Sequence, residues 1–342
     1  MVTMSDVARV ANVSATTVSH VINKTRKVDP MTEKAVRDAI ASTGYFEDGI
    51  ARSLRTGTTQ TIGLAMSAIS NPYFSDVVHS IERNISKAGY SLLLADTHDD
   101  PERERKAVTE LLSHRVDAMI IAPSIEAGEM LDALTKRAIP TVLIDRVPLE
   151  TRPGVDAIGV VNEEPNAELV DHLAAHGHRR IATITSSPNL ITTGERVAGY
   201  RRGLQRNDID FDPQLVQVGH HNLEDSTATA LENLLGLADP PTAVMMGNNQ
   251  VTIDAMTAMQ RRGIRVPEDL ALVAFDDFVW ASLFSPRLTA VSQPVDELGS
   301  RATEMLFQRL ADRSISPRHV RLQTTLHIRE SCGCPPEMEP HP

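Results

Sequence analysis

Residues 5–23 read SDVARVANVSATTVSHVIN. Thr3, with Asp6 three residues on, predicts a helix starting at Met4, and Val7, Ala8 and Ala11 then fall on one apolar side. Asn12 and Val13 predict a turn, because Asn tolerates left-handed backbone. Ser14 predicts the cap of a second helix running to about Asn23, with Val18, Val21 and Ile22 facing inward. Two short helices joined by about three residues form a helix-turn-helix. A third helix is expected from Met31 to about Thr43, with Ala35, Val36, Ala39 and Ile40 at core spacing and Gly44 as its stop. A recognition helix shows one face to base edges while the other packs on its partner helix. Thr16 and His20, four residues apart and opposite Val18 and Ile22, suit that outer face, as does Ala15, whose methyl can meet that of thymine. Ser5, Thr17, Asn23 and Lys24 complete the candidate DNA-facing set. On pattern alone a plain three-helix core is an equal reading, and both stand at this point.

Downstream, Ile50 to Arg55 is a small amphipathic stretch, and Thr56 to Gln60 has the composition of a linker. From Thr61 apolar strands alternate with amphipathic helices. TIGLAM, SLLLAD, VDAMIIA and TVLID form one series, and RIATIT, LVQV, TAVMMG and LALVAF form a second. Repeated strand-helix units imply parallel sheets covered on both faces. The expected fold is therefore an all-α helix-turn-helix headpiece followed by an α/β core of two doubly wound lobes, with the break near Val161. Ligand chemistry belongs at the carboxyl ends of the strands. A length of 342 residues agrees, being too long for one ordinary core.

The net charge of −11 argues against nucleic acid only if it is evenly spread. Residues 1–57 carry eight Lys/Arg against six Asp/Glu, a balance of +2 that leaves −13 for the rest. Only the small N-terminal unit has to face phosphates, and the acidic remainder favours solubility. No run of about twenty apolar residues and no secretory signal pattern is present, so the expected location is the cytoplasm, with no membrane partner. The two cysteines, Cys332 and Cys334, sit in a polar, proline-rich stretch read as a frayed tail, and with only His341 nearby no metal site is expected. Nor is a cofactor. Phosphate-loop, G-x-G-x-x-G, G-x-S-x-G and H-E-x-x-H patterns are absent, which argues against an enzyme.

Strand ends and helix starts offer a coherent polar set: Asn71, Tyr73 and Phe74 after the first strand, Asp145 and Arg146 after TVLI, Arg196 at a helix start, Asn248 after VMMG, Asp276 after VAF, and Gln293 after TAVS. Carboxylates, amides and guanidinium groups take sugar hydroxyls in pairs, and aromatic faces cover C–H surfaces. Each residue alone has an ordinary structural reading, such as a helix cap. Asp99, Asp100, Glu102 and Glu104 are read as a solvated acidic helix start, and Trp280 and His220-His221 as equally suited to packing or contact at the cleft mouth.

The run DVARVANVSATTVSHVIN, together with VDP-x-T-x-KAV, GY, ARSL, NPYFSDVV, GHRRIATI, RVAGYRRGL, PTAVMMGNN, VAFDD and PRLTAVSQP, resembles the lactose/galactose repressor family of bacterial transcription regulators along nearly the whole chain. In the DNA-binding segment it is most similar to purine and ribose repressors. The resemblance implies a helix-turn-helix domain at 1–48, a hinge helix and linker at 49–60, and an effector-binding and dimerisation core at 61–342. Within the core the expected N-lobe takes about 61–161 and 293–322, the C-lobe about 162–292 and 323–332, and the tail 333–342. It further implies that Ile50 to Leu54 folds on DNA and that Leu54 wedges into a base step of the minor groove, with Arg52 and Arg55 near phosphates or the narrowed groove. A helix so short is unstable alone, so partner and groove must supply its burial. Phe46-Glu47-Asp48-Gly49 departs from the usual Pro-Asn pair, leaving Asp48 as the available cap. The nine cleft residues are similar, place for place, to the ring of ribose-binding relatives, while Asn248 departs from purine repressors. The implied partners are a palindromic operator in double-stranded DNA, a second copy of the chain, and a monosaccharide, a pentose such as ribose first and another monosaccharide or polyol next. A purine or other non-sugar effector is the alternative, and a sugar-binding protein without a regulatory role is a further one. The direction in which the effector shifts DNA binding is left open.

Overall fold

A computed structural model describes residues 2–46, 57–67, 71–124, 127–148, 152–219 and 225–334. The chain divides into two compact units, Met1–Thr59 and Gln60–Pro342.

In the first unit, α1 (Met4–Ala11), α2 (Ala15–Asn23) and α3 (Pro30–Thr43) follow one another. Thr3 and Asp6 form a reciprocal capping box, Asn12 turns the chain in the left-handed region at φ 52°, and the Ser14 side chain caps α2 by accepting from Thr17 N. α3 begins one residue earlier than its pattern suggests, because the Asp29 carboxylate accepts from Met31 N and Thr32 N while Pro30 occupies the first helical position. Val7, Val18 and Val36 are fully buried, with Ala8, Val21 and Ala39 around them. Each valine contributes about 1.5–3 kcal/mol, an upper bound that such a small unit depends on. Ala35 is a correction: it is exposed, since three rather than four positions of α3 reach this core.

The second unit holds two six-stranded sheets. The first uses β1 (Thr61–Met66), β2 (Ser91–Asp96), β3 (Ala118–Ile121), β4 (Thr141–Ile144), β5 (Val155–Val160) and β11 (His319–Leu322), in the order β11-β5-β4-β3-β1-β2, all parallel. The second uses β6 (Ile181–Thr185), β7 (Val216–Val218), β8 (Ala243–Met246), β9 (Ala271–Phe275), β10 (Thr289–Ser292) and β12 (Thr325–His327), in the order β12-β10-β9-β8-β6-β7, with only β12 antiparallel. The helices between the strands are α4 (Pro72–Lys87), α5 (Pro101–Ser113), α6 (Gly128–Lys136), α7 (Glu163–Ala175), α8 (Ile191–Arg206), α9 (Ser226–Leu235), α10 (Asn249–Arg262) and α11 (Val295–Ala311). The chain passes from one sheet to the other at Asn162, at Gln293 and between Leu322 and Thr325.

β5 and α7 have no counterpart among the segments expected from sequence. β5 was hidden by Asp156, a charge at the second position of a fully buried strand. Its carboxylate accepts from Arg309 Nε and Nη2 at 2.9 and 2.8 Å and from Arg318 Nη2 at 2.9 Å, so two guanidinium groups compensate its burial. α7 packs along α8 closely enough that a Cβ on Gly199 would lie 2.0 Å from Glu163 O. The frayed tail is also corrected. Cys332 is buried and Cys334 packs against the same apolar core, because Ser331 Oγ bonds Leu272 O at 2.6 Å and Glu330 Oε1 pairs with Arg287 at 2.9 Å. No described helix is long and apolar enough to cross a membrane.

Candidate functional site

Five expected cleft residues from the first sheet cluster at its strand ends. Asn71 caps α4 by accepting from Tyr73 N at 3.0 Å, which fixes Tyr73 and Phe74 in the first turn. The Tyr73 hydroxyl donates to Asp145 Oδ1 at 2.8 Å. Asp145 leaves β4 with φ 68°, a left-handed turn that an Asp tolerates. Arg146 is buried, donates to Asp99 and to Pro123 O at 3.1 Å, and holds Nε 3.7 Å from Asp145 Oδ2. Burial works against its charge, but the Asp99, Asp145 and Glu104 carboxylates more than restore it.

From the second sheet, Arg196 donates to Asn162 Oδ1 at 3.0 Å and to Gly247 O at 2.6 Å, and its guanidinium carbon stands 3.7 Å over the Phe275 ring. Its Nη2 is 3.8 Å from Asp276 Oδ1, and Gln293 Nε2 donates to the same oxygen at 2.5 Å. Asp276 leaves β9 with φ 76°, the same turn that Asp145 makes after β4. Asn248 caps α10 through Val251 N at 2.9 Å and is half-buried.

The two groups meet. Burial raises the Asp276 carboxyl above its ordinary range, Arg196 and Gln293 oppose that rise, and Asp145 of the other sheet adds to it. The Tyr73 hydroxyl is held well above its usual range by burial first, then by Asp145 and Asp276. Two carboxyls, a phenol and two guanidinium groups are thus buried near one another at the strand ends. Among the described residues, Arg146 Nε, whose nearest carboxylate is that of its ion-pair partner Asp145, and Gln293 Oε1 have no hydrogen-bond partner, nor do Ser67 Oγ, Thr97 Oγ1 and both amide atoms of Asn249. Each such atom costs about 1–3 kcal/mol when buried unpaired, and a polar ligand would recover that.

Tyr73 and Phe74, successive residues, are tilted 57° to each other with ring centroids 5.0 Å apart. One expectation needs correction. The acidic helix start is not all solvated. Asp100 caps α5 and Glu102 is exposed, but Asp99 pairs with Arg146, and Glu104 is buried with its carboxylate accepting from Ser124 Oγ at 2.9 Å. Sequence reasoning missed Asn162, which follows the unassigned β5, and Phe275, which reads as core. It also missed Glu195, which accepts from Asn162 and Arg321 at 2.7 Å each and so ties α8 to β11 at the crossings. Trp280 packs against Phe278, the rings tilted 49° with centroids 4.3 Å apart.

In the helix-turn-helix, Ser5, Ala15, Thr16 and Lys24 are exposed. Thr17 Oγ1 sits 2.9 Å from Ser14 Oγ, His20 Nδ1 2.8 Å from Thr25 Oγ1, and Asn23 donates to Ser19 O at 2.8 Å. Arg52, Leu54 and Arg55, the hinge segment Ile50 to Leu54, Asp48, His220, His221 and His341 lie outside the described residues.

Residues 3–48 match the bacterial regulatory proteins of the lacI family, and residues 170–332 match a periplasmic binding protein-like domain. The HTH-type transcriptional repressor PurR of Aliivibrio fischeri (strain MJ11) is 34% identical over 334 residues, 97% of this chain and 98% of that protein. Among solved structures, a lac repressor dimer bound to operator and the anti-inducer ONPF is 27% identical with a TM-score of 0.82, covering 97% of this chain and 99% of that one. A putative ribose operon repressor from Burkholderia thailandensis is 31% identical with a TM-score of 0.70, covering 78% and 98%.

Proposed function

The chain belongs to the lacI family of bacterial regulatory proteins, and from that premise we propose that it is a homodimeric repressor whose operator affinity is set by a monosaccharide, ribose first, held between the two sheets. It is a DNA-binding transcriptional repressor and not an enzyme. A two-fold dimer reads a palindromic operator, with half-site spacing set by its symmetry. Ala15, Thr16 and His20 face base edges, Ser5, Thr17, Asn23 and Lys24 position α2, and Arg52, Leu54 and Arg55 of the hinge enter the minor groove. The domain limits are those of the headpiece at 1–48, the hinge at 49–60 and the core beyond.

The observation that carries the effector reading is two buried atoms without a hydrogen-bond partner among the described residues, Arg146 Nε as donor beside Asp145 and Gln293 Oε1 as acceptor on the amide that bonds Asp276. A vicinal diol supplies both a donor and an acceptor at each oxygen, which that alternation of donors and acceptors needs. Glu195, bonded to Asn162 of one crossing and Arg321 beside another, is the element through which closure on the ligand reaches the rest of the core. Any such coupling is reciprocal between sugar and DNA. A purine base is the second reading, favoured by the likeness to PurR of Aliivibrio fischeri. Calorimetric titration separates them. Ribose binding that weakens in Gln293→Leu supports the proposal, while uptake of hypoxanthine or guanine with no response to ribose refutes it. Leu54→Ala is expected to abolish operator binding in a gel shift and leave sugar binding intact.

A further inference from the structure

At the far end of α7 from the cleft, two imidazoles and two thiols meet. The helix runs 13 residues, about 20 Å, from the crossing at Asn162 to His176. His172 and His176 are one turn apart, so both rings leave the same face, with centroids 4.5 Å apart. Cys334 Sγ lies 3.4 Å from His172 Nε2 and 3.2 Å from His176 Nε2. Cys332 Sγ is 2.9 Å from Cys334 Sγ.

We propose that His172, His176, Cys334 and Cys332 form a binding site for a divalent metal ion of the zinc class, which fastens the segment after β12 to the end of α7. Three observations carry it. First, two imidazoles with two thiols and no carboxylate among the four is the donor set that selects zinc over magnesium or calcium. Second, the spacing fits. A tetrahedron with about 2.05 Å to nitrogen and about 2.3 Å to sulfur has nitrogen–sulfur edges of about 3.5 Å. The two observed separations fall just inside that, so His172, His176 and Cys334 already form three corners. Cys332, whose sulfur accepts from Thr289 Oγ1 at 3.2 Å, would become the fourth by drawing back from Cys334 to the sulfur–sulfur edge of about 3.8 Å. Third, the tautomer is set. His176 Nδ1 lies 2.8 Å from the His172 carbonyl oxygen, which can only accept. Nδ1 therefore carries the hydrogen, and the Nε2 lone pair points at the sulfur, as a metal-ligating histidine with a second hydrogen-bond partner requires. His176 is exposed while His172 and Cys334 are half-buried, so an ion reaches the donors from solvent.

The test uses full-length reduced protein, stripped with a chelator and titrated with Co²⁺. One ion per chain is expected, with thiolate-to-cobalt charge-transfer bands and the intense visible absorption of a tetrahedral site, both abolished by Zn²⁺. His176→Gln and Cys334→Ser are expected to weaken uptake by at least about tenfold, the loss that even an outer hydrogen-bond partner produces. Zinc is expected to raise the thermal midpoint of the parent protein and not that of His176→Gln, whose exposed position leaves the fold intact. Cobalt spectra without thiolate bands, uptake indifferent to both substitutions, or thiols that only oxidise to a disulfide and take up no cobalt would each overturn the assignment.

Discussion

Replacing Arg196 by Met isolates the electrostatics of the cleft. The guanidinium lies 3.8 Å from Asp276 Oδ1, a separation worth about 4 kcal/mol of attraction at an effective dielectric of roughly 20. Met keeps the apolar contact with Phe275 but removes that charge. Asp276 is already raised by burial, with Arg196 the largest group opposing the rise, so its carboxyl moves further up in the variant. A carboxyl raised in the folded state gives its full stability below the unfolded pKa of about 3.9 and loses it as pH climbs through the folded value. The variant therefore carries two losses. The bonds to Asn162 and Gly247 disappear at every pH, whereas the cost of an unpaired Asp276 grows from little at pH 4 to at most about 4 kcal/mol at pH 7, the limit for one proton over about three pH units, less what the parent's own raised carboxyl already loses. At about 2 °C per kcal/mol for a unit of this size, the thermal midpoint relative to the parent should fall further at pH 7 than at pH 4, by up to roughly 8 °C. Melting curves followed by circular dichroism across that range read the difference directly. The double variant Arg196→Met/Asp276→Asn should lose the pH-dependent part alone. A deficit equal at both pH values in the single variant would refute the reasoning.

Gly199→Ala should drive α7 and α8 apart, because its Cβ would stand 2.0 Å from Glu163 O. A loss of about 1–3 kcal/mol or more is expected in urea unfolding, and an unchanged midpoint would contradict it. Asp156→Asn strands the buried Arg309 guanidinium and should cost about 3–5 kcal/mol. Although burial pushes the Asp156 carboxyl up, Arg309 and Arg318 hold it below its usual range. Its stabilisation is therefore present above about pH 3.9 and drains as pH falls through the folded value, so the Asn variant should lose less than the parent between pH 5 and pH 3. In the headpiece, Lys24→Ala should weaken binding to all duplexes alike and lower the salt slope by about one. Thr16→Ala should instead relax sequence choice in competition assays.

The helix-turn-helix was legible almost to the residue because its signals are local: Thr3 with Asp6, Asn12, Ser14 and Gly44 each act on backbone within a turn of themselves. The two-sheet body was legible because buried parallel strands write continuous apolar runs. β5 escaped, since Asp156 breaks its run and the residues that explain it, Arg309 and Arg318, lie more than 150 positions away. A similar separation hid the pairing of Cys334 with His172 and His176, and one of 47 positions hid that of Asp99 with Arg146. Short-range patterns place residues at strand ends. They do not say which ends face one another, nor that Arg146 Nε and Gln293 Oε1 have no hydrogen-bond partner among the described residues there.

The most direct test of a sugar-governed repressor measures the affinity of the purified protein for an operator recovered by selection from random duplexes, by fluorescence anisotropy, with and without saturating ribose. The account predicts a shift of about 5- to 150-fold in either direction, reciprocated in the sugar affinity and missing in Asp276→Asn. Operator affinity that ignores ribose and other monosaccharides but responds to a purine base would contradict it.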